Sequence, residues 1–205
     1  MNKITVLILS IVILSALVFF IGKIMQEKDI KSTDISTSTN ISASTSVDIK
    51  SSELKNIVEI KIQSSAFENS GTIPRKYTCD GQSLIPPIQV SNVPSEAKSL
   101  ALTIEDPDAP SGTWDHFVMW NLPAKDFNTT SGNVPEGVIG KGTSGKMYYI
   151  APCPPRGQMH RYFFKLYVLD TLLDIPVSSN KSQLLKNIEG HVMGKAEMYG
   201  TYSRN

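Results

Sequence analysis

The side chains best suited to chemistry sit in two short stretches, each opened by a proline-rich loop and closed by a histidine. The first runs Asp106-Pro107-Asp108-Ala109-Pro110 and then, past Ser111-Gly112, to Trp114 and His116. The second runs Ala151-Pro152-Cys153-Pro154-Pro155-Arg156-Gly157 and on to His160, Arg161 and Tyr162. Each proline fixes its own φ and pushes the preceding residue toward extended backbone, so both loops lose little entropy on ordering. Four kinds of chemistry are open to such a set. Two Asp and two His can hold a metal, although no HxH, HExxH or CxxC spacing is present. Asp and His can carry protons, but no serine lies in a nucleophile-elbow motif, and Cys153 is the only thiol near a histidine. His116, His160, Arg156 or Arg161 can bind an anion with loop N–H groups while the carboxylates orient the imidazoles. The plainest alternative is that these polar groups only tie loops together. The third histidine, His191, sits beside Gly190 and reads as a helix-end residue near the carboxyl-end dipole.

Strands must present these loops. Leu100, Leu102 and Ile104 alternate with smaller or polar residues, the period of a half-buried strand, and His116, Val118, Trp120 and Leu122 alternate in the same way. The clearest strand is Tyr162 to Asp170, with Tyr162, Phe164, Leu166 and Val168 on one face. Shorter strands are expected near Ile60 and Ile62, at Ile88-Gln89-Val90 and at Tyr148-Tyr149-Ile150, with surface loops from Pro123 to Lys146. Leu184, Leu185, Ile188 and Val192 have helical spacing, with Ser179 or Asn180 as N-cap, Gln183 placed for a capping box and Gly194 as the stop. Lys195 to Tyr202 closes the chain as a strand. Short strands, Pro/Gly corners and one late helix predict a mainly antiparallel β-sandwich.

The first fifty-odd positions read differently. After a short tail (1–3), Ile4 to Ile21 is uncharged and almost wholly apolar, about 27 Å long as a helix against a bilayer core of roughly 30 Å. No convincing cleavage site follows, so 4–22 is expected to be an uncleaved, single-pass transmembrane signal anchor. Residues 23–56 are expected to form a flexible stalk, more than half Ser or Thr between Ser32 and Ser52. The folded domain is expected over 57–205. A very short N-terminal tail favours an extracytoplasmic domain on the cell membrane, although the positive charges flanking the anchor are nearly balanced. With a net charge of +1 and no Lys/Arg run, a nucleic-acid partner is not expected.

In combination, Asp106-Pro-Asp-Ala-Pro110, Trp114-x-His116, Pro154-Pro155-x-Gly157 and His160-Arg161-Tyr162 resemble the phosphatidylethanolamine-binding protein family, in its bacterial and archaeal, Raf-kinase-inhibitor-like branch. The resemblance runs from about Ile60 to the C-terminus. It includes Thr72-Ile73-Pro74, Tyr77-Thr78-Cys79-Asp80-Gly81, the Tyr162–Tyr167 strand and the close from His191-Val192 to Gly200-Thr201-Tyr202. It implies a β-sandwich with a small cavity for phosphate-like anions and phospholipid head groups. By motif position, Asp106, Pro110, Trp114, His116, Pro154, His160 and Tyr162 would line it, with Asp108 and Arg161 in support. Asp115 would add negative charge beside that site. No cofactor and no metal is expected.

Cys79 and Cys153 lie in loops of the matched region, and an even pair in an exported domain leans toward a disulfide. The expected activity is binding rather than catalysis, with possible protein targets of the protease or kinase class because family members include inhibitors of both. A protease inhibitor is one alternative; a hydrolase using Asp106, His116 and His160 is the other.

Overall fold

The computed structural model describes residues 59–205. The expected anchor, the stalk and the first two positions of the expected domain lie outside the described residues. Among the described residues, no helix is long and apolar enough to cross a membrane.

The described residues form two antiparallel sheets. In chain order the strands are β1 (Lys61–Gln63), β2 (Gln89–Ser91), β3 (Ser99–Asp106), β4 (Trp114–Leu122), β5 (Phe127–Asn128), β6 (Val138–Ile139), β7 (Met159–Leu169) and β8 (Val192–Ser203), with one α-helix, α1 (Lys181–Asn187). The small sheet has the order β1-β2-β5 and the large one β6-β4-β3-β7-β8. Between the sheets, Ile62 and Val90 meet Leu100, Leu102, Ile104, Phe117, Met119, Tyr162, Phe164, Leu166 and Val168. On the far face, Ala101, Val118, Trp120 and Leu169 pack under Leu184 and Ile188 of α1. Each fully buried aliphatic side chain contributes roughly 1.5–3 kcal/mol, so the two faces together drive the fold.

Covering both faces changes the reading of β3. All eight of its residues are buried, so the strand is central on both sides instead of half-exposed. The even alternation expected along β4 also fails, because two β-bulges shift its register. Leu100 pairs with Leu122 but Leu102 with Met119, and Ile104 pairs with Phe117 but Glu105 with Asp115. Val118 and Trp120 therefore face α1, while Leu122 joins the core between the sheets. Asn121 takes φ 55° at the first bulge. Its side chain there donates to Leu173 O at 2.9 Å and accepts from Leu173 N–H at 2.8 Å.

Other boundaries moved for local reasons. Tyr148 to Ile150 is not a strand. Ile150 alone pairs with β4, and Pro152 has no N–H to continue a ladder. The helix has the expected Asn180–Gln183 capping box, but it ends at the C-cap Ile188. Gly190, at φ 81°, turns the chain there, and Val192 begins β8. Gly194 is thus inside a strand, where Ile60 Cδ1 would lie 2.2 Å from a Cβ. His191 lies beyond the helix, its exposed Nδ1 2.8 Å from Asp170 Oδ1.

Candidate functional site

Neighbouring strands of the large sheet run antiparallel, so the end of β3, the starts of β4 and β7 and the end of β8 meet at one edge. That edge holds a cavity of about 380 Å³. Asp106, Pro110, Trp114, His116, Pro154 and His160 all line it, together with Ala109, Ile150, Cys153, Pro155 and Arg204.

His160 and Asp106 form the most enclosed polar pair there. His160 Nδ1–H donates to Asp106 Oδ2 at 2.7 Å, with side-chain exposures of 3% and 5%. The other oxygen, Asp106 Oδ1, accepts the Asp108 backbone N–H at 2.8 Å, closing the turn of the Asp-Pro-Asp loop. With both oxygens engaged, Asp106 orients the imidazole and stiffens its own loop. His160 Nε2 lies 3.4 Å from Gln158 Oε1.

His116 reaches the cavity through the second bulge. It is the extra residue between the Ile104–Phe117 and Glu105–Asp115 pairs, so it points the same way as Phe117 and meets the Tyr162 ring edge-on at 5.3 Å. Re-aiming a side chain at a site is a common use of a bulge. His116 Nδ1–H donates to Ile150 O at 2.8 Å, and Ile150 N–H returns a bond to His116 O at 3.0 Å. Burial pushes the imidazole pKa down, so the neutral ring is favoured and Nε2 is an acceptor.

Tyr162 does not line the cavity. It lies behind His116 with its hydroxyl buried and unpartnered, and burial followed by the nearby Asp106 carboxylate pushes its pKa up. Asp108 and Arg161 are outside as well. Arg161 Nε and Nη2 donate to Asp108 Oδ2 and Oδ1 at 2.9 and 2.7 Å, and its backbone N–H adds a third bond at 2.9 Å. Those bonds hold the Asp108 carboxyl at about 2 and clamp the first loop onto β7.

Asp115 turns away from the cavity and pairs with Lys181. Lys181 also meets Glu105 at 2.6 Å, and Lys165 meets Glu105 at 2.5 Å. Burial raises the Glu105 carboxyl, but the two lysines outweigh it and hold its pKa below the usual range. The negative charge expected from Asp115 is therefore spent on the opposite face of the sheet.

The second loop is tied down covalently. A disulfide joins Cys79 to Cys153, with Cα atoms 5.4 Å apart, and Cys79 N–H donates to Pro152 O at 3.0 Å. Next to Cys79, Asp80 accepts from Tyr202 Oη at 2.7 Å and from Arg204 Nε at 3.2 and 3.3 Å. Arg204 was missed by sequence reasoning, although Met198, Gly200 and Tyr202 face inward and two more residues of the same alternation reach it. No group of three or more metal-ligating side chains is found among the described residues.

Known proteins carry the same architecture. The model of the family described as phosphatidylethanolamine-binding protein matches residues 63–203. A UPF0098 protein of Methanothermobacter thermautotrophicus is 44% identical over 151 residues, covering 71% of this chain and 99% of the relative. The crystal structure of a phosphatidylethanolamine-binding protein homolog from Chlamydia trachomatis superposes with a TM-score of 0.69 at 39% identity, covering 72% of this chain and 99% of that one. Escherichia coli YbcL, described as a member of the mammalian PEBP family, gives 0.66 at 25% identity over 72% of this chain and 99% of its own. This chain belongs to the phosphatidylethanolamine-binding protein family, alongside its bacterial and archaeal members.

Proposed function

We propose that the domain is a binding module whose cavity takes a small phosphate-like anion or the head group of a phospholipid. The observation that carries this reading is the commitment of the acids. Asp106 spends both oxygens on His160 and on its own loop, and Asp108 is spent on Arg161. The lining offers no hydroxyl and no free thiol for the Asp106–His160 pair to activate, since Cys153 is in a disulfide, so the set favours holding a ligand over turning one over. His160, Arg204 and the neutral Nε2 of His116 remain as the polar groups that a ligand meets.

In the cell, residues 4–22 anchor the chain, residues 23–56 give it reach, and the domain acts outside the membrane on a partner protein of the protease or kinase class. Washing membranes at high pH tests the tether, and release of the intact chain into the supernatant would sink it. The cavity is tested by calorimetric titration of the full chain, in mild detergent, with inorganic phosphate and phosphoethanolamine, beside His116→Ala and His160→Ala. Saturable binding that both substitutions abolish is expected. Binding that survives both would put the anion elsewhere, and no binding at millimolar ligand would refute the reading.

A further inference from the structure

An anion cavity needs a fixed positive charge, and the cations singled out in the sequence do not supply one. Arg161 is held in two-point contact by Asp108. Arg156 is exposed and donates to the Asn205 carbonyl. His116 presents an acceptor. Arg204 is the one side chain of the lining that stays positively charged throughout the physiological range.

We infer that Arg204 is the anion-gripping residue of this cavity, taking two oxygens of a phosphoryl group, and that Asp80 is the residue that positions it. The inference rests on the anion-binding reading above and names the group that performs it. Three features of the structure carry it. The backbone of Arg204 is pinned beside the second loop, because Gly157 N–H donates to its carbonyl at 2.9 Å and Arg156 pairs with it as an isolated bridge. Its guanidinium is oriented from the back. Among the described residues its side-chain hydrogen bonds run from Nε alone, to the two oxygens of Asp80, which leaves both terminal amino groups for a ligand. That is the fork a phosphate matches best. Asp80 is in turn immobilised by Tyr202 Oη and by its place next to Cys79, which is bonded to Cys153 in the cavity wall. The hydrogen bond from Tyr202 lowers the Asp80 pKa more than burial raises it, and Arg204 adds to the lowering, so the positioning charge is present at neutral pH.

The guanidinium therefore arrives aimed, with little rotamer entropy left to lose on binding. A lysine at 204 would keep the charge without the fork.

The test is calorimetric titration of the full-length protein, in mild detergent at pH 8, with inorganic phosphate. R204Q is expected to weaken phosphate at least about tenfold, the range for losing a charge-assisted pair, and R204K to recover only part of that loss. D80N is expected to weaken phosphate in the wild-type background and to add nothing in R204Q, a non-additivity that a general loss of stability would not produce. Melting curves run beside each titration. If R204Q does not fold, R204K carries the test, and phosphate affinity equal to wild type would overturn the inference. Wild-type affinity in a folded R204Q, together with loss in His160→Ala, would refute the role of Arg204 and leave the anion cavity standing. Failure of the wild type to bind phosphate would overturn both.

Discussion

Replacing both Cys79 and Cys153 by alanine should destabilise the domain without rearranging it. The crosslink spans 74 positions. In the chain-entropy account a loop of that length removes about 15 cal/mol/K from the unfolded ensemble, or about 4.5 kcal/mol at 25 °C. The folded side of the equilibrium should change little, since Cys79 N–H still donates to Pro152 O and Asp80 still holds Tyr202 and Arg204. For a domain of roughly 150 residues each kcal/mol moves the melting temperature by about 2–4 °C, so a fall of about 10–15 °C is expected. Differential scanning calorimetry of the double variant, and of wild type in excess dithiothreitol, should show the same fall, with two thiols appearing on reduction. An unchanged melting temperature in the double variant, beside a wild type shown to be oxidised, would refute the entropic reasoning. Two free thiols in protein isolated from its own compartment would refute the crosslink itself.

Two other perturbations read out single features of the fold. Asn121→Ala removes two hydrogen bonds and leaves a β-carbon at φ 55°, a loss of about 2–4 kcal/mol, whereas Asn121→Gly loses only the bonds and should cost about 1–2 kcal/mol. Urea melts giving glycine the larger loss would show that the left-handed backbone is not what asparagine serves there. His116 titrates in the folded state below its ordinary value of 6.5 because of burial. Above that value neither state binds the proton. As the pH falls through it the unfolded chain is protonated first, and stability is lost until the folded pKa is reached, by about 1.4 kcal/mol for each unit separating the two. His116→Gln should flatten this acid limb between pH 7 and 5, and an identical slope in variant and wild type would exclude His116 as its source.

How much of this was legible in the sequence depends on how far each feature is written locally. The proline loops, the long β7 strand and the Asn180–Gln183 cap were readable because turn chemistry and side-chain period act within a few residues. The β3 strand was readable as a strand, but not as one buried on both faces. Thr103 and Glu105 look polar in one dimension, and only the fold buries the one completely and brings Lys165 and Lys181 to the other. The β4 bulges were invisible for a related reason. A period-2 pattern assumes unbroken register, yet the sequence His116-Phe117-Val118 contains nothing that says two successive side chains share a face.

Arg204 failed for the simplest reason: the expected strand stops at Tyr202, whereas β8 runs on to Ser203 and Arg204 follows it as an isolated bridge to Arg156. That error mattered more than its size suggests. The His160-bearing start of β7 lies opposite the last residues of β8, with His160 facing Tyr202, so the end of the chain is a wall of the cavity. Asp80, Tyr202 and Arg204 are 122 or more positions apart across their hydrogen bonds, and no window of sequence connects them. The imidazoles announced the site because they stand beside proline loops. The guanidinium did not, because what aims it is an aspartate at the other end of the domain, fixed there by a disulfide whose second sulfur is already in the cavity wall.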